Sequence, residues 1–191
     1  MIFRAVEDTD LIPRARQGDV EAFNLLVSRW EKRVFNYLLR LTGHREDALD
    51  VCQDVFLKAY QNLRKLDDPS RFGPWLFRIA HNEAFSLLRK RKPESSDEPE
   101  EMTGGTIRVG ASGVLPMELS IAVTTAMDRL SPEQREAVVL KIYQGFKFEE
   151  MAEVLDCPVS TVKSRLYTAL DVLKSQLEPA KKLKGAGLAE E

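Results

Sequence analysis

The sequence predicts an all-α fold: two small helical domains joined by a flexible linker, the second domain containing a helix-turn-helix. Two observations carry this. Apolar residues recur at spacings of three and four almost throughout, and no stretch sustains the period-two alternation of a half-buried strand. The one exception, PESSDEPEEMTGGTIRVGASGVLP, is rich in Pro, Gly, Ser and acids and too poor in apolar surface to order itself. The expected division is a first domain over residues 1–92, a linker over 93–117, a second domain over 118–180, and a disordered tail over 181–191. With 43% hydrophobic residues in 191, the chain has enough apolar surface for packed cores.

The first domain is expected to hold four helices. The first spans about Asp8 to Gln17. The second spans about Val20 to Leu41, with Gly43 supplying the stop. The third spans about Glu46 to Leu63, and the turn LDDPS leads into the fourth, RFGPWLFRIAHNEAFSLLRKRK, over residues 71–92. The second domain begins near Glu118. In it LSPEQ is a helix start: Ser131 caps, Pro132 suits the first helical position, and Gln134 completes a capping box.

Several function classes are disfavoured. No apolar run approaches the length that crosses a bilayer, and charges interrupt the N-terminus before a signal-peptide core could form, so a cytoplasmic protein without membrane insertion is expected. Cys52 and Cys157 lie far apart without a CxxC partner and read as buried neutral thiols. His44 and His81 are the only histidines, and there is no Gly-rich phosphate loop. No catalytic residue, metal site or cofactor is therefore expected, and the protein reads as a non-enzyme. The net charge of −2 does not suggest a nucleic-acid binder, but the cations are clustered, so their distribution matters more than the total.

Residues 146–173 divide into a short helix, a tight turn at Asp156-Cys157-Pro158, and a longer helix opening at Ser160. Met151 and Leu155 face inward, Ala152 allows a close crossing, and Val162, Leu166, Ala169 and Leu173 form the buried stripe of the second helix, a helix-turn-helix pattern. Its exposed face offers Ser160, Thr161, Lys163, Ser164, Arg165, Tyr167 and Thr168. Hydroxyls and cations near a helix N-terminus suit phosphates and base edges in the major groove. The competing reading is a helical hairpin that merely packs, although such a hairpin more often carries acids on that face.

The fourth helix has two faces. Leu76, Ile79, Ala80, Ala84 and Leu87 share an apolar arc, whereas Trp75, Arg78, Asn82, Phe85, Arg89 and Lys92 share another at spacings of three and four. Rings stack on unpaired bases for about 1 to 3 kcal/mol each while cations hold the backbone, so this arc suits single-stranded nucleic acid or a duplex being opened. The opposing reading makes the rings, Phe77 and Phe85 above all, core, and leaves Arg89, Lys90, Arg91 and Lys92 as a solvated helix end favoured by the helix dipole. Glu83 falls inside the apolar arc without explanation.

With these two pieces on either side of a linker, the sequence resembles a bacterial RNA polymerase sigma factor of the extracytoplasmic-function type. The stretches that carry the resemblance are ARQGDVEAFNLLVSRWEKRVFNYLLRLTG, EDALDVCQDVFLKAYQNLRKL, the fourth helix, and LSPEQREAVVLKIYQGFKFEEMAEVLDCPVSTVKSRLYTAL, from about Asp10 to Leu177. The resemblance implies that the third helix docks on the clamp helices of core RNA polymerase through an acidic stripe of Asp47, Asp50, Gln53 and Asp54. It implies that Phe72, Trp75, Arg78, Asn82, Arg89, Lys90, Arg91 and Lys92 recognise and melt the minus-ten promoter element. Ser160, Thr161, Lys163, Ser164, Arg165 and Tyr167 would read the minus-thirty-five element, Phe146 and its neighbours would touch the polymerase flap, and an anti-sigma factor would wrap between the domains. The sequence departs from the family where Ser86 stands at a position often held by aspartate, and where Thr168 and Ala169 replace further basic residues. The alternative from another class is a two-domain regulator that binds duplex operator DNA through its helix-turn-helix, independently of polymerase. A third possibility is a protein-interaction scaffold.

Overall fold

The computed structural model describes residues 6–91 and 117–185, with side-chain surroundings given over 6–91 and 121–177. Most of the expected linker, with Lys92, lies outside the described residues. Among the described residues there is no strand. The first group of helices is α1 (Asp8–Arg16), α2 (Val20–Thr42), α3 (Arg45–Asn62) and α4 (Phe72–Arg91), with short 3-10 turns at Leu63–Lys65 and Pro69–Arg71 before α4. The second group is α5 (Met117–Asp128), α6 (Pro132–Val138), α7 (Phe148–Val154) and α8 (Val159–Gly185). α8 runs to Gly185, several residues into the segment expected to be a disordered tail.

Local chemistry sets the helix ends. Asp19 caps α2 by accepting from the Ala22 amide at 3.0 Å, one of the donors an N-terminus leaves without an intrahelical partner. That bond, and then the Arg14 guanidinium, holds its carboxyl below the usual range. Gly43 ends α2 at φ 75, its amide bonding back to the Leu39 carbonyl at 3.1 Å, a left-handed cap that a Cβ would penalise. The capping box of Ser131 and Gln134 forms as the spelling LSPEQ predicts. α6 then widens into a π turn over Val139–Tyr143, which the sequence did not signal.

α2, α3 and α4 pack around Tyr37, Leu38, Val55, Phe72, Leu76 and Phe77, with α1 closing one end through Leu11 and Ile12. In the second group Leu140, Met151, Val154, Val162 and Leu166 make the equivalent core. The two cores are continuous: α4 packs against α7, and the Phe77 and Phe146 rings meet edge to face at 5.0 Å. The sequence predicts two helical groups joined by a linker without fixing how they sit, and in the structure α4 and α7 bring them into contact.

Candidate nucleic-acid interface

α4 turns two different faces outward and inward. Leu76, Phe77, Ala80 and Ala84 are buried, while Arg78, Asn82, Arg89, Lys90 and Arg91 are exposed and Trp75 is half-buried. Phe72 corrects the expectation of a nucleic-acid contact. It is 1% exposed and packs edge to face on Trp30 at 5.8 Å, because the chain enters α4 already inside the core. Phe77 is core as well, and Phe85 leans on His81 with ring centroids 4.6 Å apart. Glu83 now has a role: it pairs with Lys58 of α3 at 2.5 Å and ties the two helices together.

Trp75 and Arg78 form a ridge between two shallow grooves. One is lined by Lys58, Asn62, Lys65, Ile79, Asn82 and Glu83 beside the ridge. The other is lined by Lys65, Leu66, Asp67, Asp68, Arg71, Pro74 and Glu153. Ring, amide and cation therefore converge in the first groove, which is what an unstacked base and its phosphate need. Lys58, Asn62 and Lys65 were missed from sequence, although their sequence proximity to the LDDPS turn was the available signal. That turn is fixed by Asp68, which accepts from the amide and hydroxyl of Ser70 at 2.9 and 2.7 Å; these bonds, the hydroxyl's first, lower its pKa.

The acidic stripe on α3 divides. Asp50, Gln53 and Asp54 are exposed, but Asp47 is largely covered and ion-paired with Arg91. Two residues expected to meet different partners thus meet each other, because α3 and α4 run side by side. Leu49 and Leu57, 41% and 56% exposed, flank Gln53 at spacings of four and make the same face partly apolar. They lie out of phase with buried Ala48, Val51, Cys52, Val55, Phe56 and Ala59, and that mismatch was the sequence signal for them.

The helix-turn-helix forms as α7, a turn and α8. Asp156 sits at φ 50, a left-handed turn position that Asp tolerates better than most residues. Val162, Leu166 and Ala169 are buried, and Ser160, Lys163, Ser164, Tyr167 and Thr168 are exposed. Thr161 is half-buried. Arg165 is also half-buried, its guanidinium 4.0 Å from the Cys157 sulfur across the turn. Burial raises the Cys157 pKa and that guanidinium pulls partly the other way. Lys163 lies over the Phe148 ring at 5.3 Å.

The comparisons with known proteins agree with this architecture. The Sigma-70 region 2 family matches residues 26–94, and Sigma-70, region 4 matches residues 120–173. The chain is 35% identical to an ECF RNA polymerase sigma-E factor of Haemophilus influenzae over 90% of its length and 96% of the relative's. It is 33% identical to the RNA polymerase sigma-H factor of Pseudomonas aeruginosa, covering 91% of this chain and 95% of that one. Among solved structures it is similar to the sigma factor RpoE in complex with the anti-sigma factor NepR from Bartonella quintana: TM-score 0.69, 28% identity, covering 82% of this chain and 96% of that one. It is similar also to CnrH in complex with the cytosolic domain of CnrY, with TM-score 0.68, 28% identity and coverage of 90% and 97%. No described helix is long and apolar enough to cross a membrane. With region 2 on α2–α4 and region 4 on α5–α8, this chain belongs to the extracytoplasmic-function sigma factors, which initiate transcription with RNA polymerase and are not enzymes.

Proposed function

We propose that the protein docks on the clamp helices of core RNA polymerase through the exposed part of α3, and directs it to promoters with two upstream elements. In this reading Asp50, Gln53 and Asp54, with Leu49 and Leu57, make the docking face: acids steer the approach to a basic partner and the leucines supply apolar contact. Trp75, Arg78 and Asn82 recognise and melt the minus-ten element, with Arg89, Lys90 and Arg91 along the phosphates. Ser160, Thr161, Lys163, Ser164, Arg165 and Tyr167 read the minus-thirty-five element, and the region around Phe146 meets the flap. The observation that carries the reading is the Trp75–Asn82 groove, where a half-buried ring, an amide, Lys65 and Arg78 line one concavity beside the Lys58–Glu83 pair. Flipping a base costs a few kcal/mol, which such a stacking site returns.

An anti-sigma factor is the regulatory partner we assign, supported by the two solved relatives having been captured with such partners or a partner's cytosolic domain. The test is transcription by core polymerase on a pool of random promoter fragments, with and without the protein, reading the transcript starts. New starts sharing two upstream elements, lost in the Trp75→Ala, Asn82→Ala double variant, support the reading. Operator-like duplex binding without polymerase and no new starts would favour the polymerase-independent regulator.

A further inference from the structure

The interface between the two helical groups contains a buried carboxylate. Glu136 of α6 is 0% exposed, and one of its oxygens, Oε1, accepts the Tyr37 hydroxyl of α2 and lies 2.7 Å from Nδ1 of His81 on α4. The other oxygen, Oε2, is buried without a hydrogen-bond partner. Burial, and then the Glu136 charge, push the Tyr37 pKa well up. Around this centre Arg33 donates to the Gln144 carbonyl at 3.0 Å, Arg40 stacks over Tyr143 at 4.2 Å, Arg71 pairs with Glu153, and Arg78 pairs with Asp156 at 2.9 Å.

This arrangement is incompatible with the two-site DNA binding proposed above. Elements at minus ten and minus thirty-five are about 25 base pairs apart, roughly 80 Å at ~34 Å per turn. Arg78 belongs to the minus-ten surface, yet it is ion-paired to the residue that opens the turn before α8. Ser160 is four residues beyond Asp156, at most about 15 Å along the chain. The two reading surfaces are therefore several-fold too close. Phe146, placed at the flap, is 6% exposed and covered by Phe77.

We propose that the structure is an autoinhibited closed state, held by a clasp in which Tyr37 and His81 grip Glu136, and that the clasp must release before promoter binding. The proposal rests on the sigma reading of the two surfaces. The chemistry of the clasp suits a joint that opens. An interface meant to stay shut is best filled with apolar side chains, since a buried carboxylate loses its hydration and here regains only part of it, Oε2 remaining without a partner. When the halves part, water restores what Glu136 lost, so opening is favoured at the one point where an apolar residue would oppose it.

Small-angle scattering on the full chain tests this without polymerase or DNA. A compact chain of this length has a radius of gyration of about 16 Å, and separated halves should exceed it by roughly a third. Wild type is expected to be compact, Glu136→Lys and His81→Glu each expanded, and the charge-swapped double variant compact again, with circular dichroism confirming helix content. If either single variant loses helix, Tyr37→Phe, which keeps the ring, must expand the chain in its place. The opened variants are also expected to bind core polymerase about tenfold more tightly than wild type. An extended wild type, single variants as compact as wild type, or a double variant that stays open overturns the clasp. A clasp that behaves as expected in a protein that directs no new transcript starts would instead count against the sigma reading alone.

Discussion

Phe72 and Trp75 lie three residues apart on one helix with ring centroids 5.8 Å apart, yet burial gives them opposite roles. Phe72→Ala removes a fully buried ring and is expected to cost about 3–5 kcal/mol of stability. Trp75→Ala is expected to cost less than half of that, about 1–2 kcal/mol, because the ring is already half in water, while abolishing promoter opening. Urea unfolding and transcription assays on the pair separate the two. The sequence could not, since both rings fall within reach of either arc of the helix and periodicity does not say where the chain enters the core. The cysteines show the same limit: the sequence reads both as buried thiols, but Cys52 is buried and Cys157 only half-buried. Burial lifts the Cys52 thiol to about 11, with the Glu31 charge adding to it. At pH 8 about one molecule in a thousand then carries the reactive thiolate, so native Cys52 is expected to resist iodoacetamide while the more accessible Cys157 reacts first. The sign for stability follows. A raised thiol pKa favours the folded state below its unfolded value near 9, and that contribution fades as pH rises through about 11. The alkaline loss of stability is thus expected to be smaller in Cys52→Ala, a difference that thermal melts across pH 8 to 11 would reveal.

At the scale of elements, what the sequence made legible was local. Ser131, Pro132 and Gln134 spell a helix start within four residues, and Ser131→Ala is expected to cost about 1 kcal/mol by removing the acceptor for the Gln134 amide. The helix-turn-helix was legible for the same reason, since its turn and its buried stripe lie within one short stretch of chain. Gly73 was not. A Cβ there would fall 2.7 Å from Cη2 of Trp30, a ring more than forty positions away whose Nε1 is already fixed by donating to Asp8 at 2.8 Å. The glycine permits the close crossing of α2 and α4, a requirement that only the packed structure reveals. Gly73→Ala is expected to destabilise by about 1–3 kcal/mol, the usual penalty for overpacking, despite alanine's better helix propensity. A lowered melting temperature in Gly73→Ala, with recovery when Trp30 is also made Phe, would identify the ring as the cause. Asp47 illustrates the same limit: its spacing places it on α3 beside Asp50 and Asp54, but the approach of Arg91 from α4 is long-range information.

For the whole molecule, the question is which cross-contacts hold the two halves together. The outer pairs, Arg71 with Glu153 and Arg78 with Asp156, have side chains 40–77% exposed, and exposed pairs contribute roughly 0–1 kcal/mol and weaken with salt. The Phe77–Phe146 contact and the Glu136 cluster are buried, so screening reaches them little. Closure should therefore survive high salt. Arg108 is the only trypsin site between Pro93 and Pro116, in a stretch whose composition favours cleavage. Brief trypsin treatment is expected to cut there and leave two fragments that elute together in gel filtration, at 1 M salt as well as at 0.1 M. Fragments that separate on raising the salt would show that the surface ion pairs, and not the buried contacts, hold the halves together. Fragments that separate at every salt concentration would show that closure depends on the covalent connection, which raises the local concentration of one half around the other. The sequence placed the cut but not the association, because Tyr37, His81 and Glu136 each look like an isolated polar residue on its own helix and acquire a common purpose only when α2, α4 and α6 meet.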